Sequence, residues 1–138
     1  MLFAESSDES SLVRLVGQTT AGDWLLLRNH NLAASNPSAE LLKVGREGTA
    51  DVLMDFSGDV GSCILDPASG MLYLTWVPEA EGAQNLYSID LSDLSRSQIT
   101  ANKRWTTLFS QPQVVPDGRL VYTRHERNSD IWLIRFEL

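Results

Sequence analysis

Two histidines and a set of arginines are the residues of this chain best suited to chemistry. Imidazole titrates near neutrality and can act as a base or a metal ligand. His30 ends the run WLLLRNH and His125 ends RLVYTRH. Neither has a Cys or acidic partner at ligand spacing, so no zinc site is expected. Serine hydrolysis needs a G-x-S-x-G turn and a positioned His. The nearest candidate, Gly58-Asp59-Val60-Gly61-Ser62, has the residues in the wrong order. Calcium loops of the D-x-D-x-D-G kind are absent, as is a glycine-rich phosphate loop. The sialidase-type S-x-D-x-G-x-T-W box is missing too, although Trp76 and Trp105 each neighbour a Thr. The carboxylates and hydroxyls of AESSDESS (4–11) and DLSD (90–93) read as solvated loops. Cys63 sits in the apolar run SCILD (62–66) and reads as a buried, inert thiol. A lone cysteine also excludes an internal disulfide. What remains is binding. Arg124, His125, Glu126 and Arg127 form a charged tip that, with Arg28 and His30, lines one rim if the two runs are equivalent. Arg28, His30, Arg124, His125 and Arg127 are therefore the expected contact residues. No catalytic residue, cofactor or metal is expected.

The bulk numbers narrow the partners. The chain has 138 residues, 43% hydrophobic and 21% charged, with a formal net charge of −7. An acidic surface repels phosphate backbones, so direct nucleic-acid binding by this segment is not expected. No apolar run approaches the roughly 18 to 20 residues that span a bilayer, so no membrane insertion by this segment is expected. No basic stretch followed by an apolar core opens the chain, and any export signal is expected to lie outside it.

The elements that must position the rim residues are strands. Residues 1–11 read as a flexible lead-in. From Leu12 on, no helical period is sustained. Short apolar or alternating runs are separated by turn residues, the pattern of antiparallel β structure. The runs are 11–16, 23–29, 40–45, 50–56, 62–66, 71–77, 85–91, 104–109, 112–115, 119–125 and 130–138. LSDLSRSQ (91–98) reads as a loop.

The runs repeat. Gly22, Gly70 and Gly118 fall 48 residues apart in both steps. Each follows a short apolar run and precedes a strand, a polar loop and another strand. Loop lengths drift between copies, so strand order is firmer than the equal spacing. An all-strand unit with a period in the forties points to propeller blades. Val115-Pro116-Asp117-Gly118 carries Pro and Gly where a type I turn wants them, and Asp66-Pro67-Ala68-Ser69-Gly70 is the same turn one residue longer. In each copy the run before the glycine is the innermost strand, followed by two central strands. ADVLMDF (50–56) and RWTTLF (104–109) serve as outer strands. The expected fold is all-β: three consecutive four-stranded antiparallel blades over 12–61, 62–110 and 111–138, the last lacking its outer strand. Trp24, Trp76, Trp105 and Trp132 are expected to pack between blades.

VPDGRLVYTRHERNSDIWLI resembles the TolB-type repeat of WD-like β-propellers. Pro116, Asp117, Gly118, Tyr122, Asp130, Ile131 and Trp132 fall on that pattern. The second copy follows it through Asp66, Pro67, Gly70, Tyr73, Asn85, Leu86 and Tyr87, and the first through Gly22. Val115 replaces the usual Ser. The resemblance spans about residues 12–138. It implies a non-enzymatic binding or sensory segment, the C-terminal part of a bacterial extracytoplasmic sensor such as a CadC-like regulator, or of a TolB-like protein. A periplasmic location follows from it, as does a protein or small-ligand partner. The alternative it implies is the gating propeller of a prolyl-oligopeptidase-like hydrolase. Rings of this kind have four to eight blades, so three blades imply either a homodimer closing a six-bladed ring or further blades in a longer parent chain.

Overall fold

Three turns set the fold going. Gly22, Gly70 and Gly118 all have positive φ, at 91°, 70° and 86°, a region that side chains with a Cβ avoid. Gly22 donates its N–H to Thr19 O and Gly118 to Val115 O, whereas Gly70 reaches one residue further back to Asp66 O. The longer Asp66–Gly70 turn is the one the sequence predicts. Each turn reverses the chain into a strand of a meander.

The computed structural model describes residues 11–31 and 35–128, and the backbone of 131–137. The expected lead-in up to Ser10, and Asp130 of the repeat motif, lie outside the described residues. The strands are β1 (Leu12–Gln18), β2 (Trp24–His30), β3 (Ser38–Val44), β4 (Ala50–Asp66), β5 (Met71–Pro78), β6 (Asn85–Asp90), β7 (Arg96–Gln98), β8 (Thr107–Val114), β9 (Leu120–Asn128) and β10 (Ile131–Glu137). The fold is all-β, and every pairing is antiparallel. Strands β1 to β7 form one sheet in chain order, and β10-β9-β8 a second sheet of three.

Two strands differ from expectation. The runs 50–56 and 62–66 are not separate strands but one, β4, of 17 residues. Its first half pairs with β3 and its second half with β5. The exchange of partners falls at Gly58, whose φ is 96°. The run between them, SGDVG, is polar and glycine-containing and so reads as a loop. It stays extended because both its flanks are paired. The second difference lies at 104–109. Arg104–Thr106 is not extended, and β8 begins only at Thr107 and pairs with β9. The outer position beside β6 is taken instead by the three residues of β7, within the stretch the sequence marks as a loop. An exposed RSQ triplet has no alternating apolar signal, and only the free edge of β6 makes it a strand.

The main core lies between the first four-stranded unit and the second. Leu27, Leu41, Met54 and Phe56 from one side meet Leu72, Leu74, Trp76, Tyr87 and Ile89 from the other. Trp76 stands between Phe56 and Tyr87, with ring centroids 5.5 and 5.0 Å away, and donates its indole N–H to Ser57 O at 2.8 Å. The Arg96 guanidinium lies 5.4 Å from the Phe56 and Trp76 rings, which ties β7 to this core. The ladder of β4 and β5 is interrupted between Val60 and Cys63. The carbonyls freed there accept from side chains of the first unit: Arg14 Nη2 reaches Val60 O and Gly61 O, and Asn29 Nδ2 also reaches Val60 O. A smaller cluster of Leu26, Leu42 and Val44 lies on the opposite face of the first unit.

Candidate functional site

Strand alternation and register decide which of the expected contact residues meet. Arg28 and His30 are two apart on β2 and share a face. Arg28 stands directly opposite Glu40 of β3. Glu40 Oε2 accepts from Arg28 Nε at 2.7 Å and from His30 Nε2 at 2.8 Å. Arg28 Nη2 adds an ion pair to the same oxygen at 2.6 Å. The hydrogen bond from His30 is the largest influence holding the Glu40 carboxyl below its ordinary value, and Arg28 adds to it. Partial burial works the other way. The cluster is thus internally neutralised rather than poised for an incoming anion. The sequence gives no sign of Glu40's part. Only the register of β2 and β3 brings it opposite Arg28.

On β9 alternation separates the other three. Arg124 pairs with Glu126 on one face. His125 lies on the other, with Nε2 2.8 Å from Ser110 Oγ of β8. Arg127 is exposed, opposite Trp132 in the backbone register, and its N–H donates to Thr106 O. Strands β2 and β9 belong to different sheets. Arg28 and His30 therefore form one group, and Arg124, His125 and Arg127 lie apart from it on the last sheet.

Cys63 packs against the core, and burial pushes its thiol up to about 12, with only a small opposing pull from Arg14. Such a thiol is neutral and unreactive at physiological pH. Among the described residues no three His, Cys, Asp or Glu side chains are grouped to hold a metal ion.

A cleft lies elsewhere among the described residues. It has a volume of about 490 Å³ and opens between the connection 99–104 and the β8–β9 face bearing Phe109, Tyr122 and Arg124. Its wall is rigid. Asn85, only 1% exposed, accepts at Oδ1 from Thr100 Oγ1 (2.9 Å) and from Asn102 N (2.7 Å), and donates to Asn102 O at 2.9 Å. The Asn102 amide in turn donates to the carbonyls of Gln84, Arg104 and Thr107. These bonds give a strandless segment a connected network of hydrogen bonds. Of the cleft's side chains, sequence reasoning found Arg124 and missed Lys103, Arg104 and Phe109. Residues 99–104 have no periodicity to draw attention to them.

The fold defines a class: an all-β protein of successive antiparallel meanders. No known family model matches the chain, and no curated protein matches it.

Proposed function

We propose that this chain is a non-enzymatic binding segment of a β-propeller, in which the successive meanders act as blades and a second copy of the chain supplies those needed to close the ring. The order of strands, the repeated glycine turns and the resemblance to TolB-type repeats support this reading. They also favour a role in a bacterial extracytoplasmic sensor or TolB-like assembly, where a rigid ring presents its loops to a protein or small ligand.

The observation that carries the proposal is the outer face of the first unit. Leu15, Leu26, Leu42 and Val52 form a continuous row across β1 to β4 in the pairing register. Leu26 and Leu42 in its middle are buried, and the exposed part is its ends, Leu15 at 61% and Val52 at 50%. Among the described residues the buried cluster on that face holds Leu26, Leu42 and Val44 of this unit and no residue of another. On its opposite face the same sheet already packs against the next unit through Leu27 and Leu41. A sheet with one face stacked and an apolar row on the other has the form of a blade awaiting its neighbour. At the far end, Leu108 is exposed on the side of β8 opposite Phe109. Joining first unit to last unit head to tail closes a ring with two copies.

The test is absolute mass by light scattering on a sizing column. The expected result is twice the 15.3 kDa of one chain, reverting to a folded monomer in Leu15→Asp/Val52→Asp. A native-like monomer of the unaltered chain would sink the second-copy proposal and leave the face to blades of a longer parent.

A further inference from the structure

We infer that the cleft between residues 99–104 and the β8–β9 sheet binds a small organic anion built on a flat ring, such as an aromatic carboxylate. The inference is independent of ring closure, because every residue it uses belongs to one copy.

Charge is the first argument. The chain carries a net charge of −7, yet Lys103, Arg104 and Arg124 converge on this cleft, and among the described residues no carboxylate lines it. Glu126 pairs with Arg124 from the same strand face, which fixes the guanidinium and leaves the group net positive. Glu81 lies on the other side of the segment, where it lines a neighbouring cavity of about 350 Å³ together with Lys103. A local positive site on an acidic protein selects anions by position, since the rest of the surface repels them.

Shape and apolar lining are the second argument. Phe109 and Tyr122 form an aromatic corner, with centroids 5.7 Å apart and planes at 75°. A third ring can pack against such a corner by stacking or by its edge. Trp105 follows Arg104 directly in the chain and is 72% exposed, the most exposed large apolar side chain among the described residues. Trp105 itself does not line the cleft, but Arg104 and Thr107 on either side of it in the chain do, which puts an exposed ring within reach of a bound ligand. A volume of about 490 Å³ lies within the usual range for small-molecule sites. The Asn85–Asn102 staple keeps the wall in place before a ligand arrives, which lowers the ordering cost of binding.

The experiment titrates 2-naphthoate into the full chain and follows backbone amide shifts by NMR. Inorganic phosphate and the neutral analogue 2-naphthylmethanol are titrated in parallel. The expected result is saturable binding with Kd below about 1 mM and shifts concentrated at residues 99–110 and 122–124. The neutral analogue should bind at least about fivefold more weakly, and Arg104→Ala or Lys103→Ala should weaken naphthoate by about three- to tenfold each. Trp105→Ala should weaken naphthoate and leave phosphate unchanged. Both basic side chains are exposed, so these variants keep the fold. Equal binding of the neutral analogue, unchanged affinity in the variants, phosphate binding as tightly as naphthoate, or no saturation in this range would each overturn the inference.

Discussion

Replacing Gly58 with alanine should damage this protein far more than the same change at Gly70 or Gly118. Gly58 is where β4 leaves one partner strand for the next, and its N–H donates to Pro37 O. Two costs add. All three glycines have positive φ, which costs alanine about 1–2 kcal/mol. At Gly70 and Gly118 that is the whole cost, because an added Cβ meets open space. At Gly58 it would lie 2.0 Å from Val77 O and 2.8 Å from Glu79 N, where carbon contacts settle near about 3.5 Å. Both obstacles are backbone, so no rotamer change relieves them. Strands β4 and β5 must part by about 1 Å or more. That weakens the ladder around the Gly58–Pro78 and Asp59–Val77 pairs at about 1 kcal/mol per hydrogen bond. The total is about 3–5 kcal/mol, a large share of the 5–15 kcal/mol typical of a domain. Urea unfolding followed by tryptophan fluorescence gives the comparison directly. If Gly58→Ala is no less stable than Gly70→Ala, the continuous β4 and its exchange of partners are wrong.

Three further outcomes are expected. Glu40→Gln should flatten the acid limb of the stability curve. The Glu40 carboxyl sits below its ordinary 4.5 in the folded chain, so its stabilisation is complete above that value and is lost as pH falls through the lower folded one. Because the group is partly exposed, the excess loss in the wild type between pH 6 and pH 3 should be only about 0.5–1 kcal/mol, read from unfolding midpoints at each pH. Trp76→Phe should cost about 1–3 kcal/mol in denaturant unfolding, since it leaves the Ser57 carbonyl without the indole donor. Asn85→Ala removes the partner of both Asn102 N and Asn102 O. It should cost about 2–3 kcal/mol and speed amide exchange across 99–104 well beyond any change in β2 or β3.

The contact residues show where reading the chain stops. Arg28 and His30 stand out in WLLLRNH, and their shared face follows from strand period alone. Their neutralisation by Glu40 does not, because it depends on a register set across a loop of seven residues between His30 and Ser38. Arg124 and His125 look like one charged tip in RHER, yet alternation turns them to opposite faces, one toward Glu126 and the other toward Ser110. The cleft was the least legible. Its wall is a connection without pattern, held by the buried Asn85 and the half-buried Asn102, whose partners are mostly backbone carbonyls and amides that no sequence displays.

From its sequence alone this chain is committed to strands. Alternating apolar runs, three glycine turns and the absence of any helical period leave antiparallel meanders as the way to bury Leu25–Leu27, Leu72, Leu74 and Leu86–Ile89, because these local signals act within a few residues. Only the tertiary structure decided that SGDVG continues as strand, that RSQ serves as an edge, and that Lys103, Arg104 and Arg124 surround one cleft. Those outcomes depend on which partner strand lies within hydrogen-bonding distance, and partners 7 to 20 residues away are chosen by packing rather than by the residues themselves.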